Sequence, residues 1–192
     1  MRVLFAALAL FALAGPARAE IKTAVLAGGC FWCMEHDMAA IPGVTAVMSG
    51  YTGGTTKNPT YYEVSGSHIG GHYEAVRVTY DDTKVSYEAL LYRFWRLIDP
   101  TDAGGQFCDR GPSYRSAIFA SPEQAPIAEA SKVALEKSGR LAKPVVTQVL
   151  PLGPFYEAEE DHRDYAKRNK ADYDAYRQGC GRDATLKRVW KN

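Results

Sequence analysis

Short apolar stretches alternate along the chain with amphipathic stretches, and this alternation predicts strands and helices in turn. Apolar or β-branched runs that end at glycine or proline are typical of strands. Apolar residues that recur every three to four positions are typical of helices. The predicted strands cover residues 21–27, 44–51, 75–80, 114–120 and 145–150. The predicted helices cover residues 30–40, 86–99, 121–139 and 158–169, and the last twenty residues predict an irregular tail.

Two long segments between these elements, residues 52–69 and 101–113, are rich in glycine and polar residues. They predict loops, the first with one helical turn, and long loops inside a compact domain often carry function. Ser86 and Ser121 are predicted helix caps. The chain shows no internal repeat, low-complexity tract or linker, so the pattern predicts one α/β or α+β domain.

The first nineteen residues have the pattern of a secretory signal peptide. Arg2 is followed by the uncharged apolar stretch 3–14, and Ala17-Arg18-Ala19 supplies a small-x-small cleavage motif before Glu20. The apolar stretch is too short for a transmembrane span. We therefore expect cleavage after residue 19, export, and a single mature domain of residues 20–192, with the periplasm as its location.

Composition changes this picture little. The full chain has 192 residues and a formal net charge of +1, which becomes −1 when Arg2 and Arg18 leave with the signal peptide. A balanced charge with scattered basic residues gives no basis for binding nucleic acid or an anionic membrane surface.

The most informative cysteine is Cys30. It follows a predicted strand and the Gly28-Gly29 pair, so it should lie at a helix N-terminus. Unpaired N–H groups and the helix dipole there favour a thiolate. Phe31 and Trp32 could wall a small apolar pocket beside it. A buried structural cysteine, or one half of a disulfide, remains the alternative at this point.

Cys33 completes a Cys-x-x-Cys pair with Cys30. Haem attachment would need His after the second cysteine, but Met34 stands there. A zinc site would need a second close pair of ligands, whereas Cys108 and Cys180 are isolated. No metal is therefore expected, and a redox dithiol fits the spacing best.

Five segments stand in a fixed order between residues 21 and 190: Gly28-Gly29-Cys30-Phe31-Trp32, residues 50–61 with Asn58-Pro59-Thr60-Tyr61, Gly71-His72-Tyr73-Glu74-Ala75-Val76, residues 106–115, and residues 155–165 with His162 and Tyr165. In these five segments the chain resembles the A-type peptide-methionine (S)-S-oxide reductases. The resemblance implies an α+β fold of two layers, with a mixed central sheet and a ferredoxin-like core.

The resemblance also implies the roles of individual residues. Cys30 would attack the sulfoxide sulfur, while Glu74, Tyr61 and Tyr114 protonate or hydrogen-bond its oxygen. Asp109 would order waters or a tyrosine. Gly29, Phe31 and Trp32 would bind the substrate, with the two aromatic rings holding the S-methyl group.

Attack by Cys30 would leave a sulfenic acid, which a second thiol resolves. Cys33 and Cys180 are the candidates, and a relay between them is an alternative. A Cys30–Cys33 bond closes a tight turn, whereas Gly179 and Gly181 would let Cys180 swing inward, so we favour Cys180. Cys108 is either a third thiol near the site or a structural one.

The resulting hypothesis is an enzyme that repairs oxidised methionine, free or in proteins, as a monomer with no bound cofactor. A thioredoxin-like dithiol would recycle it. Two other classes fit part of the pattern: a general thiol–disulfide oxidoreductase that uses Cys30 and Cys33, and a non-enzymatic binding protein with two disulfides.

Overall fold

A computed structural model describes residues 20–191, so the predicted signal peptide lies outside the described residues. The strands of this range are β1 (Ile21–Gly28), β2 (Val44–Thr52), β3 (Tyr73–Asp81), β4 (Gly105–Gln106), β5 (Asp109–Arg110), β6 (Ser116–Ala120), β7 (Gln148–Pro151) and β8 (Phe155–Glu157). The α-helices are α1 (Phe31–Ala39), α2 (Tyr87–Arg96), α3 (Ala125–Lys137), α4 (Tyr165–Arg168), α5 (Lys170–Cys180) and α6 (Arg182–Trp190). Short 3₁₀ or π turns cover Tyr62–Gly66, Ile69–Gly71, Pro112–Tyr114 and Glu160–His162.

Six of the strands form one mixed sheet in the order β7-β6-β1-β3-β2-β8. The pair β6–β7 is parallel, and the other neighbours are antiparallel. Strands β4 and β5 form a separate two-stranded hairpin. The central strands β1 and β3 place the turn after Gly28 beside the beginning of β3, and this juxtaposition determines where the candidate site forms.

The two faces of the sheet are covered differently. Successive side chains of a strand point to opposite faces, and in β1 Ala24 and Leu26 join the large core that contains Met34 and Phe94 from the helices. Val25 belongs to a smaller cluster made of strand residues. Helices packed on one face of a mixed sheet confirm the predicted α+β class.

Local sequence signals explain several helix boundaries. The hydroxyl oxygen of Ser86 accepts a hydrogen bond from the backbone N–H of Ala89 at 3.2 Å, which is the predicted cap of α2. Ser121 instead closes a turn through the N–H of Gln124 at 3.3 Å. As a result, α3 begins at Ala125, four residues later than predicted.

The prediction of an irregular tail is wrong. The tail forms α5 and α6, separated by Gly181 in the left-handed conformation at φ 66°. A left-handed glycine is a common helix end, so Gly181 marks a boundary between two helices.

The predicted helix over 158–169 is also wrong in large part. The chain forms the Glu160–His162 turn and then the short α4. Strand β8, just before it, was not predicted, because it has only three residues and is defined by its pairing with β2, which is a tertiary contact. None of the helices between Glu20 and Lys191 combines the length and the apolar character needed to cross a membrane.

Candidate active site

Cys30 occupies the N-cap position of α1, directly after β1 and the two glycines. Its carbonyl oxygen accepts the N–H groups of Cys33 and Met34, both at 3.2 Å. Gly29 has φ +82°, and a Cβ there would lie 2.6 Å from the Cβ of Gln106. Only glycine fits this turn without strain, so the close packing of the 105–110 hairpin explains Gly29 without requiring a contact with substrate.

Glu74 lies on β3 and is almost completely buried, with 1% of its surface exposed. Its Oε2 accepts the backbone N–H of Phe31 at 3.0 Å, and its Oε1 accepts the hydroxyl of Ser65 at 2.6 Å. Burial raises the pKa of Glu74 to about 7, although these two hydrogen bonds oppose part of the rise. A carboxyl with this pKa holds a proton near neutral pH and can act as a general acid.

Tyr61 precedes the Tyr62–Gly66 turn, Tyr114 ends the Pro112–Tyr114 turn, and both side chains lie near Glu74. Burial raises the pKa of Tyr61 to about 12, and the charge of Glu74 adds to the rise. Burial and Glu74 also raise the pKa of Tyr114. Both phenols therefore remain neutral O–H donors at physiological pH.

Phe31 and Trp32, the two residues after Cys30, pack against other aromatic rings. Phe31 is buried, and its ring lies 5.8 Å from the ring of Tyr51. Trp32 stacks on Tyr165 with ring centroids 3.8 Å apart, and its indole N–H donates to Nδ1 of His162 at 3.3 Å. Stacked and hydrogen-bonded on both sides, Trp32 presents a fixed apolar surface beside Cys30.

Tyr176 and Asp109 form a second pair of polar groups beside Cys30. The hydroxyl of Tyr176 donates to Oδ2 of Asp109 at 2.6 Å, and the same hydroxyl makes a hydrogen-bonding contact with the sulfur of Cys30. Burial raises the pKa of Asp109. Asp109 therefore orients a tyrosine, as expected, and that tyrosine belongs to α5.

The four cysteines divide into two pairs. Cys30 and Cys33 are free and buried, whereas Cys108 and Cys180 form a disulfide. Burial raises the pKa of Cys30, which opposes the helix-terminus effect expected from the sequence. A hydrogen bond from Cys30 lowers the pKa of Cys33 to about 7, and the charges of two arginines of the C-terminal helices contribute.

Cys180 is the last residue of α5 and does not lie in a flexible tail. The flexible backbone that was expected to let Cys180 swing inward is therefore absent, and the sulfur of Cys180 is already bonded to Cys108. The choice between Cys33 and Cys180 as resolving thiol has to be made on other grounds.

The structure gathers the predicted chemistry in one place. The predicted residues that meet around the start of α1 are Cys30, Cys33, Phe31, Trp32, Tyr61, Glu74, Asp109 and Tyr114. Ser65 and Tyr176 were not among the predicted site residues. Tyr176 lies four positions before Cys180, on the same helix face, and recognising the tail as helical would have revealed it.

Comparison with known proteins agrees with this arrangement. Residues 22–192 match the family model described as peptide methionine sulfoxide reductase. A "Peptide methionine sulfoxide reductase MsrA 2" of Caulobacter vibrioides is 64% identical over 192 residues, which cover 98% of this chain and 96% of the relative. The MsrA of Bacillus velezensis is 52% identical over 172 residues, covering 89% and 97%.

Solved structures are also similar. Methionine sulfoxide reductase A of Corynebacterium diphtheriae superposes with a TM-score of 0.69 at 34% identity, over 82% of this chain and 77% of that one. Reduced Mxr1 of Saccharomyces cerevisiae gives 0.70 at 28% identity, over 81% and 88%. Mxr1 in complex with Trx2 gives 0.52 at 26% identity, over 79% and 88%. By its sequence, its fold and its site, the chain belongs to the peptide methionine sulfoxide reductase family.

Proposed function

We propose that this chain reduces the S epimer of methionine sulfoxide, free or within proteins, to methionine, and so repairs oxidised proteins. The observation that supports this function most directly is the position of Glu74. This buried carboxyl, with a pKa of about 7, is hydrogen-bonded to the residue that follows Cys30. A protonated acid beside a buried thiol suits attack on a sulfoxide, whose oxygen must be protonated as its sulfur is attacked.

In the first step, the sulfur of Cys30 attacks as a thiol, Glu74 transfers its proton to the sulfoxide oxygen, and Glu74 takes up the proton that Cys30 releases. Tyr61 and Tyr114 donate hydrogen bonds to the same oxygen. The oxygen moves from the substrate to Cys30, so that the products are methionine and a Cys30 sulfenic acid. The substrate gains two electrons and the Cys30 sulfur loses two. Phe31 and Trp32 would contact the S-methyl group during this step.

In the second step, the thiolate of Cys33 attacks the Cys30 sulfenic acid and forms a Cys30–Cys33 disulfide. The displaced hydroxide combines with the proton that Cys33 lost on ionisation and leaves as water. We assign this role to Cys33 rather than to Cys180, for two reasons. In the reduced protein, a hydrogen bond from Cys30 lowers the pKa of Cys33 to about 7, and the charges of Arg182 and Arg177, which also lower this pKa, remain in place once Cys30 is oxidised. Cys180 is bonded to Cys108.

In the third step, an external dithiol reduces the Cys30–Cys33 disulfide. We propose a thioredoxin-like donor, because a related reductase, Mxr1, is known in a complex with Trx2. The dithiol supplies both electrons, so the cycle balances without a metal or an organic cofactor.

We also propose that the protein is exported, that its mature form begins at Glu20, and that it acts as a monomer. The apolar stretch and the Ala-x-Ala motif support cleavage after residue 19. N-terminal sequencing of protein from the periplasmic fraction and its elution volume on a calibrated column test these points. An uncleaved N-terminus or a stable dimer would contradict them.

The central experiment uses methionine sulfoxide with both sulfur epimers present and dithiothreitol as reductant. We expect consumption of the S epimer alone and no turnover by the C30S variant. The C33S variant serves as a control, because it should still form one methionine per enzyme in the first turnover. Full activity of C30S would refute the proposal. Disulfide exchange on a protein substrate without sulfoxide turnover would indicate a general thiol–disulfide oxidoreductase instead.

A further inference from the structure

The Cys108–Cys180 disulfide joins two segments that each supply a side chain to the site. Its cysteines are 72 positions apart, one in the β4–β5 hairpin and the other at the end of α5. Asp109 is next to Cys108 in sequence, and Tyr176 lies one helical turn before Cys180. Their side chains meet in the 2.6 Å hydrogen bond above Cys30. The disulfide therefore lies next to this hydrogen bond, with the sulfur of Cys180 4.0 Å from Oδ2 of Asp109.

The contacts around the disulfide separate it from the free thiols. The sulfur of Cys180 accepts the N–H of Cys108 at 3.1 Å and lies 4.0 Å from Oδ2 of Asp109. The same carboxylate oxygen accepts the Tyr176 hydroxyl, which contacts Cys30. The Tyr176 hydroxyl and the Asp109 carboxyl therefore stand between the sulfurs of Cys30 and Cys180 in this chain of contacts, and a carboxylate beside the disulfide disfavours attack by a thiolate.

The helix that contains Cys180 is itself held in place. Arg177 of α5 donates to Oδ1 of Asp37 on α1 at 2.9 Å and forms an ion pair with Asp183 on α6 at 2.7 Å. The Arg177 and Asp37 side chains are 18% and 9% exposed, so this pair is less screened than one at the surface. Movement of Cys180 toward Cys30 would break both contacts.

We propose that the Cys108–Cys180 disulfide stays oxidised through the catalytic cycle and positions Asp109 and Tyr176 against Cys30. This inference rests on the proposed function. Cys30 and Cys33 then perform every redox step, and Cys108 and Cys180 are positioning residues. The disulfide restricts how far the hairpin and α5 can separate, which keeps the tyrosine hydroxyl beside the reacting sulfur.

The first test uses the unmodified protein, with its disulfides mapped by mass spectrometry. Before substrate, we expect free thiols on Cys30 and Cys33 only. After one equivalent of methionine S-sulfoxide without reductant, we expect a Cys30–Cys33 bond and an unchanged Cys108–Cys180 bond. Any bond from Cys30 or Cys33 to Cys108 or Cys180 would overturn the proposal. If the wild-type protein forms no methionine, the proposed function itself fails, which is a separate outcome.

The same mapping on C33S removes the competing resolving thiol. We expect the Cys30 sulfenic acid to persist and to react with dimedone, while the Cys108–Cys180 bond stays intact. A Cys30–Cys180 bond in this variant would show that the outer pair exchanges with the site, contrary to the proposal.

A kinetic test separates positioning from electron transfer. In the C108S/C180S variant, we expect kcat/KM for methionine formation in the first turnover to fall about tenfold. Reduction of the Cys30–Cys33 bond by a thioredoxin-type donor should be unchanged. The Y176F substitution should cost much less in this variant than in the wild type, since both changes disturb one contact. A normal first turnover with lost recycling would overturn the proposal in favour of an electron relay.

R110Q is the matched control for the hairpin. It removes the exposed ion pair between Arg110 and Asp102 without touching the disulfide, and its kinetics should match the wild type. If C108S/C180S does not fold, as judged by circular dichroism, the mapping experiments on the wild type still decide the question.

Discussion

Oε2 of Glu74 accepts the backbone N–H of Phe31 at 3.0 Å, although the two residues are 43 positions apart. The contact follows from the sheet, because β1 and β3 are antiparallel neighbours with Leu26 opposite Val76. Each step toward Gly28 on β1 therefore corresponds to a step toward Glu74 on β3. The backbone thus fixes the acid beside the turn that holds Cys30.

The first prediction concerns the pH dependence of methionine formation. Glu74 must be protonated to act as the acid, and its pKa is about 7. The first-turnover rate should therefore be constant below about pH 6 and fall roughly tenfold for each pH unit well above 7. E74Q should lower kcat/KM by about 10²–10⁴-fold and abolish this decrease. Rapid quench between pH 5.5 and 9 measures both, and a retained decrease in E74Q would assign the titration to another group.

The same carboxyl should make the protein less stable at high pH. The pKa of Glu74 is about 7 in the folded protein, above its ordinary value of 4.5. Its favourable contribution is complete below pH 4.5 and is lost as the pH rises through 7, since the folded state then holds an unfavourable buried charge. Between pH 4 and 8, E74Q should gain on the order of 3 kcal/mol relative to the wild type. Urea unfolding measures the unfolding free energy of both proteins. If the difference between E74Q and the wild type stays the same from pH 4 to pH 8, the prediction is contradicted.

Part of the site could be predicted from the sequence and part could not. The Gly-Gly-Cys turn indicated a redox cysteine from its local pattern, and the role predicted for Glu74 came from the family resemblance of residues 71–76. The contact between Tyr176 and Asp109 depends on how α5 packs. No local pattern encodes such packing. For the same reason, the partner of Cys180 could not be chosen, since four cysteines allow three pairings.

The fold shows the same division. Segments with strong periodicity, such as α2, were predicted closely because the cap at Ser86 and the amphipathic pattern agree. The tail was predicted to be irregular and Gly179 and Gly181 to make it flexible, whereas Gly181 terminates a helix and Gly179 lies within that helix. A glycine signals a change of backbone direction, but only the packing of the flanking segments shows what it separates.

The second half of catalysis should depend on Arg177. Cys30 donates a hydrogen bond to Cys33, and the charges of Arg182 and Arg177 help to lower the pKa of Cys33 to about 7. R177Q should raise that pKa and slow disulfide formation several-fold at pH 7, because less thiolate is present. R177K keeps the charge and should restore most of the rate. Stopped-flow detection of the sulfenic acid separates the two steps, and equal slowing of both would indicate a structural defect.

Glu35 should determine how well the aromatic pocket selects a methyl group. Its carboxylate is buried on α1 and accepts the N–H of Asp164 at 3.1 Å and the hydroxyl of Ser49 at 3.0 Å. Asp164 immediately precedes Tyr165, which stacks on Trp32. E35A should raise KM for methionine sulfoxide about tenfold and weaken discrimination against the ethyl analogue, since Tyr165 loses its anchor. E35Q can still accept the N–H and should behave nearly as the wild type.

Asp81 offers a matched control for Glu35. Both residues are 6% exposed, and Asp81 likewise accepts hydrogen bonds from the protein, in its case from Thr83. It lies at the other end of β3 from Glu74. D81N should therefore alter stability without changing the preference for methyl over ethyl sulfoxide. If D81N and E35A shift this preference equally, the effect of Glu35 is a general loss of stability.

Gly29, in the turn before Cys30, should not tolerate a side chain. Gly29 has φ +82°, and a Cβ at this position would lie 2.6 Å from the Cβ of Gln106. Gln106 in turn binds the backbone of Asp99 through both ends of its amide at 2.8 Å, so it cannot retreat easily. G29A should therefore displace the hairpin that carries Asp109, lower the unfolding free energy by about 2 kcal/mol and reduce first-turnover kcat/KM. G139A is the control, because Gly139 also has a positive φ of +65° but a Cβ added there would meet nothing within 4 Å. It should lose stability through the backbone alone and keep full activity, and equal activity of G29A and G139A would show that contact with the hairpin has no role in the site.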